Sequence, residues 1–362
     1  MNILYLITGL GGGGAEKVVV DLAIRMVGLG HQVKIAYLKG KVIVKPENDQ
    51  IELVYLGLEN LKQAKLAYSN YKNLLDEFVP DVVHAHMVHA NIFARISRKF
   101  RPIVKLICTA HSNNEGGKAR MLAYRLTHQL SEVTTNVSRS ASASFERLGA
   151  VPQGGITTVY NGIDLDKFKY DANARGILID ELNLDHDSLL LLAVGRLHPA
   201  KDYPNLLRAF AQIKQNTDQN IQLLIAGDGE ERAHIQQLMG SLALQKNVHL
   251  LGRRNDIPQL MSAADLFVLS SSFEGFGLVV AEAMACNTFV VATDCGGVKE
   301  VMGHTGICCP SQDSEQLAAA LIKAIEMSPH DIQENNLNAS KHVQDNFDLN
   351  LIEKKWLTLY ES

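Results

Sequence analysis

The run Ser271-Ser272-Phe273-Glu274-Gly275-Phe276-Gly277-Leu278-Val279-Val280-Ala281-Glu282-Ala283-Met284 places two carboxylates around a glycine-rich helix start, with seven residues between them. A helix N-terminus offers unpaired amides at the positive end of the helix dipole, so the amides of Gly275, Phe276, Gly277 and Leu278 suit a phosphate. Glu274, ahead of the helix, suits the hydroxyls of a sugar, and Glu282, inside it, those of a ribose. A capping carboxylate and a solvated helical glutamate would explain either residue singly, but neither explains the glycines.

Two other loops carry related chemistry. Gly195-Arg196-Leu197-His198-Pro199-Ala200-Lys201 sets two cations after an apolar run, where Arg and Lys neutralise a diphosphate without a metal. Gly227-Asp228-Gly229 follows the next apolar run in the same way. Near the start, Thr8-Gly9-Leu10-Gly11-Gly12-Gly13-Gly14-Ala15-Glu16-Lys17 opens a helix whose apolar face reads Val18, Val19, Leu22, Ala23 and Met26. Gly12, Gly13 and Gly14 would let the backbone approach an anionic ligand closely.

Gly9, Gly11 and Gly14 also fit G-x-G-x-x-G, which raises an NAD(P)-dependent nucleotide-sugar epimerase or dehydrogenase as a rival. That reading wants an acid at the end of the second strand, and the sequence there is Leu38-Lys39-Gly40-Lys41. A non-catalytic nucleotide-sugar-binding module is a third reading. His111 closes an apolar run and is a candidate for the cleft, while His84, His86 and His89 lack metal-ligand spacing and suit structural or substrate-contact roles. No acidic metal pair stands out, since Asp228 lies between glycines and Glu274 is assigned to sugar.

The elements that must position these groups alternate short β-rich runs with amphipathic stretches. Strands are expected at 3–7, 33–38, 51–56, 82–86 and 104–110, then at 189–194, 223–226, 248–251, 266–270 and 289–292. This rhythm predicts an α/β fold of two Rossmann-like domains with parallel sheets, the boundary lying near 160–187 and the polar stretch 168–187 preceding the second set of strands. Ligands of such sheets bind beyond the carboxyl ends of the strands, where every loop named above begins.

At 362 residues, a two-domain chain is expected. With 46% apolar and 20% charged residues it is an ordinary globular composition. The formal charge of −4 hides an asymmetry: residues 1–164 carry 19 Lys and Arg against 13 Asp and Glu, and the remainder carries 16 against 26. Arg95, Arg98, Lys99, Arg101 and Lys105 cluster with Ile92, Phe93 and Ile96, followed by Lys118, Arg120 and Arg125, which predicts a basic amphipathic face for anionic lipid. The five cysteines show no zinc spacing and read as buried free thiols. Without a leader or a spanning apolar stretch, cytoplasmic placement is expected, with peripheral attachment to the inner face of the membrane.

The motifs together resemble the retaining GT-B glycosyltransferases of family 4, particularly bacterial enzymes of O-antigen and capsule assembly. The resemblance spans nearly the whole chain and includes Asp81-Val82-Val83-His84-Ala85-His86, Thr109-Ala110-His111 and Tyr160-Asn161-Gly162-Ile163-Asp164. It departs at Cys286-Asn287-Thr288-Phe289, where the family commonly shows Cys-Gly-Thr-Pro.

The resemblance implies sheets facing a central cleft, with an acceptor-binding domain at 1–165 and a nucleotide-sugar domain at 166–346. A final helix within 347–362, bearing Trp356, would return to the first domain. Arg196 and Lys201 would bind the donor diphosphate, Glu274 the transferred sugar and Glu282 the ribose. Gly227 and the amides near Gly252 and Arg253 would line the nucleotide, Asn161 would lie near the hinge, and His111 would sit beside the reacting centre. The implied reaction moves a sugar from a UDP-hexose or UDP-N-acetylhexosamine, with GDP-mannose as the other donor, to a hydroxyl of a glycan or polyprenyl-diphosphate-linked acceptor. No cofactor, metal or nucleic-acid partner is expected.

Overall fold

The computed structural model describes residues 1–217 and 219–362. The chain divides into a first unit of 1–162 with 350–362, and a second unit of 163–349.

In the first unit, β1 (Asn2–Ile7), β2 (Gln32–Tyr37), β3 (Glu52–Tyr55), β4 (Val82–His86), β5 (Leu106–Ala110), β6 (Val133–Asn136) and β7 (Thr157–Thr158) form one sheet in the order β3-β2-β1-β4-β5-β6-β7. All its pairings are parallel. The central strands are buried along their whole length because helices cover both faces, the usual condition of a parallel sheet. One face packs Ile3, Tyr5 and Ile7 against Val19, Leu22, Ala23 and Met26 of helix Gly14–Gly28 and against Ile352, Trp356 and Tyr360 of helix Leu349–Glu361. Val20 joins that buried face and Val18 is only half-buried, a one-position rotation from the sequence expectation. The other face packs Leu4 and Leu6 against Tyr71, Leu74, Leu75 and Phe78 of helix Ala64–Phe78.

The second unit repeats the plan with β8 (Leu189–Val194), β9 (Ile221–Ala226), β10 (Val248–Gly252), β11 (Leu266–Leu269), β12 (Phe289–Asp294) and β13 (Ile307–Pro310), ordered β10-β9-β8-β11-β12-β13 and parallel throughout. Leu191, Leu223 and Val268 of its sheet pack with Leu206, Phe210 and Leu321 from the covering helices. Both sheets reverse direction of growth once, between β1 and β4 in the first unit and between β8 and β11 in the second. Loops leaving adjacent strands on either side of such a reversal diverge, which opens a crevice at the strands' carboxyl ends.

Three expectations are corrected. Arg95 is fully buried: it hydrogen-bonds Thr134 at 2.7 Å and lies over the Tyr124 ring, so it is no part of a lipid-facing surface. Arg98 pairs with Glu132 and Arg101 with Asp76, which neutralises much of the remaining basic cluster. Cys108, Cys286, Cys295 and Cys309 are buried free thiols, but Cys308 is exposed because it points away from the core on edge strand β13. At the Cys286-Asn287-Thr288-Phe289 departure, Asn287 takes φ +62°, a left-handed conformation that asparagine tolerates better than most residues. The loop is held by Thr288 Oγ1 donating to the Met261 carbonyl and Asn336 Nδ2 donating to the Asn287 carbonyl.

Candidate active site

In the second unit two of the sequence-derived residues, Lys201 and Glu274, meet at the reversal between β8 and β11. The loop after β8 ends in a short turn, Pro199–Lys201, capped by the His198 ring, and Asp202 then starts helix Tyr203–Asn216. The loop after β11 is stitched to it: Ser270 Oγ donates to the Lys201 carbonyl at 2.8 Å and the Ser272 amide to the Ala200 carbonyl at 2.9 Å. These bonds bring Lys201 Nζ to 2.5 Å from Glu274 Oε1, which also accepts from Ser271 Oγ at 2.7 Å. Both side chains are mostly shielded from solvent, so the pair sits where charge is weakly screened. An ammonium has three donors, and Glu274 uses one.

Arg196 does not join this pair. It is exposed and bound to Glu230 at 3.0 Å, with His198 Nε2 3.7 Å from the same carboxylate. Glu282 lies in helix Leu278–Ala285 and is buried, in contrast to the solvated glutamate that a surface helix would carry. Phe276 is buried against the Phe347 ring, and Gly277 enters the helix with φ +95°. Arg253 is exposed just beyond β10, while the neighbouring Arg254 is clamped by Glu181 and Asp256.

The glycines have specific steric reasons. A Cβ on Gly227 would stand 1.9 Å from the Gly195 carbonyl oxygen, and its amide donates to the Gly252 carbonyl at 2.7 Å. One on Gly229 would stand 2.3 Å from the Leu197 carbonyl oxygen. The loops after β8, β9 and β10 therefore meet backbone to backbone, as only glycine permits.

The first unit presents a different set at the ends of β4 and β5. His84 and His86 share one face of β4, with ring centroids 3.9 Å apart. His84 is saturated, with Nδ1 2.8 Å from the Tyr360 hydroxyl and Nε2 2.7 Å from Thr109 Oγ1. His86 Nδ1 lies 3.0 Å from His111 Nε2. Burial drives all three imidazoles toward the neutral form: His84 and His86 fall well below the usual histidine range, and His111 is pushed down to about 4.

Sequence reasoning missed Glu115. This buried carboxylate accepts the Val88 amide at 2.9 Å and the His111 amide at 2.7 Å, tying the start of helix Val88–Arg98 to the residue after β5. Burial raises its pKa, and the two amide bonds act against that rise. Glu115 at φ +47° and Met87 at φ +70° are both non-glycine residues in a strained region, flanking the histidine pair. The signal in the sequence was a lone acid ahead of Gly116-Gly117.

The first glycine loop is braced at its base within the first unit, while Gly11, Gly12, Gly13 and Gly14 are exposed. The Lys39 amide donates to the Thr8 carbonyl, and the Ile43 and Val44 amides donate to the Leu10 carbonyl. Gly12 has φ +96°, and Gly13 caps helix Gly14–Gly28, where a Cβ would meet the Glu16 carboxylate at 2.6 Å. Asn161 is buried just before the chain passes into the second unit. Among the described residues, no three His, Cys, Asp or Glu side chains converge as a metal cage would require.

Residues 12–167 match the family model Glycosyltransferase Family 4, and residues 175–340 match Glycosyl transferases group 1. The N-acetyl-alpha-D-glucosaminyl L-malate synthase of Bacillus anthracis is 30% identical over 68% of this chain and 65% of that enzyme, so the chain spans just under two thirds of its length. The N-acetylgalactosamine-N,N'-diacetylbacillosaminyl-diphospho-undecaprenol 4-alpha-N-acetylgalactosaminyltransferase of Campylobacter jejuni is 28% identical over 82% of each chain. Among solved structures, Anabaena Alr3699/HepE in complex with UDP-glucose shares the fold, with a TM-score of 0.86 and 23% identity over 100% of both chains. Its two halves matched in that order by the two models, the chain belongs to the family 4, group 1 glycosyltransferases of GT-B fold.

Proposed function

We propose that this glycosyltransferase moves an N-acetylhexosamine or hexose from a uridine diphosphate donor to a hydroxyl of a glycan or lipid-linked glycan, with retention at the anomeric carbon and without a metal. The observation that carries the reading is the Lys201–Glu274 pair, held by two hydrogen-bonded loops at the strand reversal of the second unit. Lys201, with Arg196 nearby in the chain, supplies positive charge to the diphosphate as its bond to the anomeric carbon breaks. The amides of Gly275 to Leu278 bind phosphate at the helix start, Glu274 accepts sugar hydroxyls, and Glu282 accepts the ribose. Gly227, Gly252 and Arg253 line the nucleotide.

The acceptor oxygen bonds to the anomeric carbon on the face the diphosphate leaves, and a departing phosphate oxygen takes the acceptor proton. The first unit holds the acceptor, with the Gly12-Gly13-Gly14 loop, Asn161 and His111 contributing. Both relatives are named for transfer of an N-acetylhexosamine, which supports that donor class; one acceptor is malate and the other a lipid-linked diphosphate saccharide. Thermal-shift screening against UDP, GDP and their sugars should show selective stabilisation by UDP compounds. Transfer should persist in EDTA; complete loss restored by a divalent metal would overturn the metal-free reaction.

For a lipid-linked acceptor, contact with an anionic membrane follows, and the burial of Arg95 moves the surface concerned to helix Lys118–Thr127. That helix exposes Lys118, Arg120, Leu122, Arg125 and Leu126 and carries no acidic residue. No helix among the described residues is long and apolar enough to cross a membrane. Vesicles containing anionic lipid should retain the protein at low salt, and Leu122→Ser with Leu126→Ser should release it. Equal retention of that variant would remove the helix from the proposal.

A further inference from the structure

We infer that His86 is a positioning residue that fixes which nitrogen of His111 carries the proton, so that His111 meets its ligand as a neutral hydrogen-bond donor through Nδ1. The ligand in question rests on the functional reading above; the proton's place rests on the first unit alone.

His86 Nδ1 and His111 Nε2 are 3.0 Å apart, so one proton lies between them. His86 is completely buried, its ring between those of His84 at 3.9 Å and His111 at 5.3 Å, with Tyr5 at 5.9 Å. Charging it there would cost its full hydration, so it is neutral and has a single N–H. Its Nε2 is buried with no hydrogen-bond partner among the described residues.

A proton on that Nε2 would be a buried donor without an acceptor, the rarer and costlier defect, whereas a bare lone pair there is the milder one. The proton therefore sits on Nδ1 of His86 and is donated to Nε2 of His111. His111 is itself neutral, so its proton is on Nδ1. His84 cannot substitute as the partner, because Tyr360 and Thr109 occupy both of its nitrogens. Glu115 holds the His111 backbone from the other side through the amide at 2.7 Å.

A histidine so arranged donates to a hydroxyl or phosphate oxygen and has no lone pair with which to deprotonate an acceptor. It thus fits a reaction in which the leaving phosphate takes the proton.

The test is a long-range proton–nitrogen correlation spectrum of the full chain labelled in histidine, with His111 assigned from the His111→Asn spectrum. At neutral pH His111 should show the Nδ1–H pattern in the absence of any substrate. In His86→Asn the amide Nδ2 overlays the lost Nδ1 and still donates, so the pattern should persist. In His86→Asp the carboxylate only accepts, and the proton should move to Nε2 of His111.

Transfer should fall about 10²-fold in His86→Asp, the scale of one misplaced donor at a reacting centre, and return to within about tenfold of wild type in His86→Asn. An Nε2–H pattern for His111 in the unaltered chain would overturn the inference, whatever the variants do. So would identical His111 patterns and identical transfer rates in the two variants. The expected pattern together with absent UDP-sugar transfer in the unaltered chain would instead count against the functional reading and leave the proton assignment standing.

Discussion

The two units share one topology and build opposite electrostatics on it. At the strand reversal of the second, the groups are ionic: Lys201 faces Glu274 and Arg196 faces Glu230. At the ends of β4 and β5 of the first the side chains facing one another are uncharged imidazoles, because burial keeps His84, His86 and His111 neutral. An open parallel sheet thus supplies a place and leaves its charge to the loops. A diphosphate needs compensating charge, while a reacting sugar is better met by fixed neutral donors that do not compete for its protons.

The comparison would break first in the ionic half. Lys201→Ala should lower transfer about 10²- to 10³-fold and weaken UDP binding, as removal of a charge-assisted donor does. Glu274→Ala should lower transfer by a similar factor and leave UDP affinity within about threefold, because its proposed partner is the sugar. Steady-state kinetics and calorimetric UDP titration measure the two effects. Equal loss of UDP affinity in both variants would merge the roles assigned to them.

The neutral half should be the acid-sensitive one. A histidine whose pKa falls on folding stabilises the fold above its unfolded value of about 6.5, and that stability is lost as pH drops toward the folded value. For His111, with a folded value of about 4, the loss is on the order of 3 kcal/mol, and His84 and His86 shift the same way. Glu115, raised by burial, has the opposite sign: its contribution is lost as pH rises through its folded value. Three histidines outweigh one carboxyl, so urea unfolding followed by the fluorescence of Trp356, the single tryptophan, should shift to lower urea between pH 6.5 and 4. A flat midpoint across that interval would show that the imidazoles are not held neutral.

The smallest effect should come from Arg196→Ala. Its pair with Glu230 is exposed, and such pairs contribute about 0–1 kcal/mol, so the melting temperature should barely move. Loss of UDP affinity should stay within about tenfold, measured in the same titration. A loss as large as that of Lys201→Ala would show that Arg196 leaves Glu230 to join the diphosphate.

Residues lying directly after strands were legible in the sequence. Lys201 and Glu274 are 73 positions apart, yet both follow β-rich runs, and parallel sheets gather such positions on one edge. Glu115 was not legible, because its role depends on a positive-φ backbone that turns the carboxylate back toward two amides. Arg95 misled for a related reason. It lies one turn after Asn91 on the buried side of helix Val88–Arg98, and a charge at that spacing reads as surface unless its partners, Thr134 and Tyr124, are known. The glycines were read as ligand contacts, and at Gly227 and Gly229 the close approach of neighbouring backbones accounts for them first.

The discontinuity of the first unit bears on how the chain is made. Helix Leu349–Glu361 leaves the ribosome only after every residue of the second unit, so the second unit is free to fold while the first still lacks one wall. Until that helix docks, Tyr5 has no Tyr360 hydroxyl beside it, and His84 stands open on a face that Trp356 later covers. The Tyr360 and Trp356 contacts of the histidine cluster are therefore made last, and nascent chains stalled before Trp356 would carry the ionic half beside a neutral one still missing that cover.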